Sequence, residues 1–168
     1  MGPGRRQGVG TLSPVGRPDA ELAEHVCLAL VCEGPTHGWA VARLLAPDAD
    51  VGRIWTLSRP LTYRAIDQLL VEGLLHRTGT KPGKGRDRTV VAATPLGRRR
   101  CRRWLDVPVG HIRDVRTELL VKLELRRRRG IDVVPLLEAQ QAAFEPLLER
   151  LESTDAGSDL VGLWRREN

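Results

Sequence analysis

Little in this 168-residue sequence is suited to covalent chemistry: aromatic residues make up 4% of it, with one Tyr, one Phe, one Met and three Cys. Cys27, Cys32 and Cys101 are odd in number and lack metal-ligand spacing, and the four His are scattered, so no zinc site is expected. They read as reduced thiols in a cytosolic setting, filling the core as small hydrophobes rather than sensing redox state. No apolar run approaches the roughly 20 residues of a membrane span, and no signal-peptide core opens the chain, which makes a cytoplasmic protein the expectation. Nor is there a nucleophile with a base, or a pair of acids, at a useful spacing. Gly79-x-x-x-Gly83-Lys84-Gly85 is one residue short of a phosphate loop and puts Gly85 where Ser or Thr would hold magnesium. The sequence therefore predicts no enzyme, no metal and no cofactor.

What is present is charge, unevenly placed. A hydrophobic fraction of 41% and a charged fraction of 29% describe a soluble globular chain, one ordinary domain or a small domain with a helical appendage. The net charge of +6 conceals a polarity. Arg77 to Arg103 carries ten cations against Asp87 alone, or +9, whereas Asp132 to Asp159 carries seven acids against Arg150, or −6. Such a chain suits a polyanion at one part and a different partner at the other.

The stretch from Trp55 to Thr94 organises the rest. Ser58 is an N-cap, Pro60 suits the first turn, and Gly73 is permissive backbone after the end, so the spacing predicts a helix of about four turns. Leu61, Ala65, Ile66, Leu69 and Leu70 form its apolar stripe, leaving Arg59, Thr62, Tyr63, Arg64, Asp67 and Gln68 mostly off it. Leu74 to Thr78 and Thr89 to Thr94 read as two strands around a basic, glycine-rich tip. A capped helix followed by a basic hairpin is the order of a winged helix. On this reading Ser58, Arg59, Thr62, Tyr63 and Arg64 meet double-stranded DNA in the major groove. Lys81, Lys84, Arg86 and Arg88 on the wing contact its phosphates.

Around this stretch, residues 1–18 read as a disordered basic arm and 19–106 as the winged-helix domain. Asp19 caps a helix to about Glu33, Thr36 opens a short helix to about Leu45, and Thr94-Pro95 starts another to about Leu105. After a hinge at Val107 to Gly110, residues 111–168 read as a C-terminal helical dimerisation segment. It comprises one helix from Ile112 to Arg129, a second through Ser153 with a kink or break near Phe144 caused by Pro146, and a short Asp159 to Arg166 piece. Leu119, Leu123, Leu137, Phe144, Leu148 and Leu151 present a seam for a partner helix.

These residues resemble the PadR family of winged-helix transcriptional regulators. The resemblance rests on Leu28-Ala29-Leu30, Glu33-Gly34-Pro35-Thr36-His37-Gly38-Trp39, Trp55-Thr56-Leu57-Ser58, Thr62 to Leu69, Glu72 to Leu75, Thr94 to Gly97, Trp104-Leu105 and Glu118 to Leu123. It implies a homodimer joined by its C-terminal helices, with two recognition helices in successive major grooves. The family's long C-terminal domain continues past the segment that Leu163 to Glu167 resembles, implying a shortened dimer arm here. The family also has aromatic-rich effector pockets, and this chain offers chiefly Trp39, Trp55, Trp104 and Trp164 for a small-molecule effector. The expectation is a mainly α protein with a small β wing, a sequence-specific DNA-binding repressor that occupies its operator as a homodimer. The alternative is a winged-helix protein–protein interaction module without DNA binding.

Overall fold

A computed structural model describes residues 17–83 and 87–153. The expected arm falls outside it except for Arg17 and Pro18, which open the first helix; Lys84, Arg86, the Leu151 side chain and the Asp159 to Arg166 piece also lie outside. The described chain is a winged helix-turn-helix followed by C-terminal helices. Its order is α1 (Arg17–Val31), β1 (Thr36–His37), α2 (Gly38–Leu44), α3 (Arg59–Val71), β2 (Leu75–Lys81), β3 (Arg88–Ala93) and α4 (Pro95–Asp106). Then α5 (Ile112–Asp114) passes through a π-helical turn (Val115–Leu119) into α6 (Leu120–Arg128), and α7 (Val134–Ser153) closes the described part. Among the described residues no helix is long and apolar enough to cross a membrane.

The fold is built around α1. Val26 to Val31 are six consecutive buried residues, so the C-terminal part of this helix is apolar all round, while Glu21 before it is exposed. It touches α2, α3, β3, α4 and α6. Val121 and Leu125 of α6 belong to the same core as Leu28, Leu45, Leu69 and Leu105, and α6 is thereby packed into the winged helix. Each such side chain is worth about 1.5–3 kcal/mol of burial. The helix starts at Arg17, so Asp19 lies within it instead of capping it.

Two sequence expectations fail at the second helix and the sheet. Thr36 does not open α2; it forms the two-residue β1 with His37, pairing antiparallel to β3 through Thr36 with Val91 and His37 with Val90. The cap is His37, whose Nδ1 accepts from the Ala40 amide at 3.1 Å. The sheet therefore has three strands, in the order β1-β3-β2. β2 runs on to Lys81, past the expected end at Thr78, while β3 is shifted by one residue from the expected Thr89 to Thr94; a register shift lies between Arg77 and Gly79. Such a bulge raises local twist.

Pro146 neither breaks nor ends α7. The hydrogen bond it removes would have run to the Ala142 carbonyl, and both residues are exposed, so water can serve that carbonyl. The inward face of α7 is Leu136, Gln140 and Leu147, one residue away from the seam expected at Leu137 and Leu148. Buried Gln140 grips the Val109 backbone: its Oε1 accepts from the Val109 amide at 2.8 Å, and its Nε2 donates to the Val109 carbonyl at 3.0 Å. A second small cluster forms there from Val109, Leu119 and Leu136, with Val115, Leu123 and Phe144 against it. Leu119, Leu123 and Phe144 are thus engaged within the chain and are not a free seam, while Leu137 and Leu148 are exposed.

Cations of α6 fasten it to the end of α4. Lys122, 1% exposed, donates to the Val107 carbonyl at 2.8 Å and pairs with Glu118 at 2.8 Å. Arg126, also buried, donates to the Leu105 carbonyl at 3.2 Å and pairs with Asp106 at 2.6 Å. Both charges sit where the C-terminal carbonyls of α4 have no helical partner, which is where a helix favours cations.

Candidate nucleic-acid interface

Helix α3 is set by its ends. Ser58 holds the N-cap position in extended backbone but makes no side-chain cap bond, and Pro60 lies in the first turn. At the other end Gly73 takes φ 68°, left-handed backbone that suits glycine. Beyond it, Thr94 Oγ1 caps α4 by accepting from the Gly97 amide at 3.0 Å while donating to the Gly73 carbonyl at 2.9 Å. A Cβ on Gly97 would come within 2.1 Å of the Leu74 carbonyl oxygen, so α4 seats against the start of the wing only because that residue has no side chain.

The buried face of α3 is Thr62, Ala65, Ile66 and Leu69. This corrects the expectation for Thr62, which is fully buried and cannot reach a groove. Its hydroxyl donates to the Ser58 carbonyl at 3.0 Å, and with the proton satisfied locally the side chain packs as a small apolar group. Leu61, placed on the apolar stripe, is instead 38% exposed. The outward side carries Ser58, Arg59, Tyr63, Arg64, Asp67 and Gln68.

Tyr63 is partly exposed, but its ring lies over Gly38, where a Cβ would meet Cε1 at 2.6 Å. The first turn of α2 is therefore in contact with the outward side of α3. The next residue, Trp39, is the platform for two arginines: the guanidinium of Arg88 stands 4.5 Å from the ring centroid and that of Arg43 5.2 Å. Arg88 is the first residue of β3. Tyr63 on α3, Gly38 and Trp39 on α2, and Arg88 at the loop end of the wing strands, where it pairs with Lys81, thus form one line of contacts, with Arg43 beside it. Sequence reasoning did not place Trp39 or Arg43 at this interface; Trp39 entered only through the family-like motif and as an aromatic for an effector.

Along β2 every residue from His76 to Lys81 is exposed, so Arg77 and Lys81 stand free of the core. On α4, Arg99, Arg102 and Arg103 are exposed, while Arg98 Nη1 donates to the Ala93 carbonyl and Arg100 pairs with Glu72 at 3.3 Å. The cationic stretch of the sequence therefore divides into groups that tie elements together, namely Arg88, Arg98 and Arg100, and groups open to solvent. Among the described residues, no group of His, Cys, Asp and Glu could hold a metal ion.

No protein-family model matches the sequence, and no curated protein does. Solved structures do. Bacillus subtilis PadR in complex with operator DNA is similar at a TM-score of 0.49 and 15% identity, covering 86% of this chain and 90% of that one. The same protein in complex with p-coumaric acid gives 0.47 and 16%, covering 91% and 90%. A PadR-family transcriptional regulator from Eggerthella lenta gives 0.41 and 18%, covering 82% and 91%. These three similar structures are of PadR and of a PadR-family transcriptional regulator.

Proposed function

We propose that this chain is a sequence-specific DNA-binding transcriptional regulator that works as a homodimer and represses by occupying its operator. The observation that carries the reading is the line of contacts from Tyr63 through Gly38 and Trp39 to Arg88, which joins the outward side of α3 to the loop end of a wing with exposed cations. In this reading Ser58, Arg59, Tyr63 and Arg64 face the major groove, while Lys81, with Lys84 and Arg86, meets phosphates. Arg88 serves both the Trp39 platform and the nearby backbone of the DNA.

The dimer is proposed on the distribution of exposed apolar groups. Ile112, Leu120, Val134, Leu137 and Leu148 are large, apolar and 42–51% exposed, and all belong to the C-terminal helices. A second copy would cover Leu137 and Leu148 on the outward side of α7, with Leu151 on the same helix. Leu119, Leu123 and Phe144 would support that surface from beneath. Two-fold symmetry then requires inverted half-sites about one helical turn apart. A small-molecule effector would release the operator by changing the separation of the two α3 helices.

The test is duplex DNA affinity as salt is raised. A DNA regulator loses affinity steeply and linearly on logarithmic axes, because bound phosphates release counterions. Failure to bind DNA at low salt would leave only a role in protein contact.

A further inference from the structure

The cysteines contain a relationship that the repressor reading does not use. Cys32 follows the C-terminus of α1, and Cys101 lies in the middle turn of α4, 69 residues later in the chain. The Cys32 side chain packs against the core that contains Cys101, where α1 meets α4, and each thiol affects the ionisation of the other. A third element meets them: Arg129, just past the end of α6, donates from Nη1 to Cys101 Sγ at 3.4 Å. Cys101 is buried, but Cys32 and Arg129 are only half-buried, so the pair lies just beneath the surface. Arg98 and Arg102 add positive potential around it.

These contacts separate the two thiols chemically. Cys32 and then the Arg129 guanidinium draw the Cys101 thiol below its ordinary range against the opposing effect of burial. The neighbouring Cys101, together with burial, pushes the Cys32 thiol up. Cys27 shows the contrast: fully buried and without such partners, it is pushed up to about 12 and is inert.

We propose that Cys32 and Cys101 form a peroxide-responsive dithiol/disulfide pair, with Cys101 as the nucleophile held by Arg129 and Cys32 as the resolving thiol. The Cys101 thiolate attacks one oxygen of hydrogen peroxide; an S–O bond forms, the O–O bond breaks, and hydroxide leaves and is protonated to water. The Cys32 sulfur then attacks the sulfenic sulfur of Cys101. An S–S bond forms, the S–O bond breaks, and the departing hydroxide takes the Cys32 proton as a second water. Two electrons pass from the two thiols to one peroxide. Oxidation removes the thiolate that Arg129 holds and fastens α1 to α4 covalently, changing how the end of α6 is held beside the winged helix.

The experiment uses the full reduced chain, treated with hydrogen peroxide, alkylated after unfolding and mapped by mass spectrometry without reductant. The expected product joins the Cys32 and Cys101 peptides, leaves Cys27 alkylated, and reverts with dithiothreitol. Arg129→Gln should slow its formation by roughly threefold or more, since the thiolate is the nucleophile. Cys32→Ala, at a half-buried position beyond the helix end, should let Cys101 stop at a sulfenic acid trapped by a dione probe. A crosslink through Cys27, a bond between chains, or both thiols left free while the peroxide is consumed elsewhere would overturn the proposal. An unchanged rate in Arg129→Gln would overturn the part assigned to Arg129.

Discussion

Arg88 lies over the face of Trp39, 4.5 Å from the ring centroid, and this contact fixes the wing to the helix-turn-helix. A cation over an indole is worth about 0.5–1 kcal/mol where exposed and more when water is excluded. Trp39→Leu keeps an apolar side chain but removes the platform for Arg88 and Arg43. The β2 and β3 amides should then exchange with solvent faster while those of α1 keep their protection, as hydrogen exchange would read out. Equal protection in both variants would mean that the strands alone hold the wing.

Arg64 is exposed on the outward side of α3, and its charge acts to lower the pKa of the Glu24 carboxyl on α1. If it reads a guanine edge, Arg64→Ala should weaken operator binding by about 1–3 kcal/mol with little change on random DNA. Thr62→Val is the complementary variant. Because Thr62 points inward and its hydroxyl is satisfied by Ser58, operator affinity should hold, within the uncertainty of a gel-shift titration. A large loss from Thr62→Val and none from Arg64→Ala would reverse the orientation assigned to the helix.

The wing cations should act without regard to sequence. Replacing both Lys81 and Lys84 with Gln should reduce the slope of log affinity against log salt by roughly 1.8, at about 0.9 per phosphate. Operator and random duplexes should lose affinity together. A loss confined to the operator would show that the wing reads bases.

His25 makes stability depend on pH. Its ring stacks on Trp104 with centroids 5.1 Å apart, and burial, followed by the charge of Arg100, lowers its pKa below the ordinary 6.5. The native imidazole therefore stays neutral where the unfolded one is already protonated. The unfolded state binds more protons in that window, so stability is full above about 6.5 and is lost as pH falls through the folded pKa. Urea unfolding at pH 7.5 and pH 5 should show this loss in the native chain, and it should be smaller in His25→Phe. An equal loss in both would assign it to other groups.

Helix α3 was legible because its determinants are local: Ser58, Pro60 and Gly73 mark its ends whatever surrounds them. The inward turn of Thr62 was not, since it depends on a hydroxyl finding the Ser58 carbonyl, which lets a polar residue take a core position. β1 escaped notice because two residues carry no periodicity, and Thr36 and His37 become a strand only against Val90 and Val91. On α7 the apolar residues at Leu136 and Leu137, and again at Leu147 and Leu148, are adjacent, so spacing alone could not tell which of each pair faces inward. Gln140 decides it by gripping Val109, a contact 31 residues away in the chain. The thiol pair was invisible for the same reason, since Cys32 and Cys101 are related only through the packing of α1 on α4.

The proposed dimer rests on Leu137 and Leu148. Replacing both with Glu should leave the fold intact, because both are exposed, and should halve the mass seen by light scattering at micromolar concentration. Operator affinity should fall with it, since the linked second half-site is lost. A full-length chain that is monomeric before any substitution would remove the two-fold operator from the account.

The central claim is tested most directly by incubating the purified full chain with fragmented genomic DNA, recovering the bound fragments and sequencing them. The account predicts a small set of enriched fragments sharing an inverted repeat, with half-site centres about 10 base pairs or a multiple apart. Arg64→Ala should lose that enrichment. Recovery of fragments in proportion to their input, at a salt concentration where binding is still measurable, would contradict sequence-specific regulation by this chain.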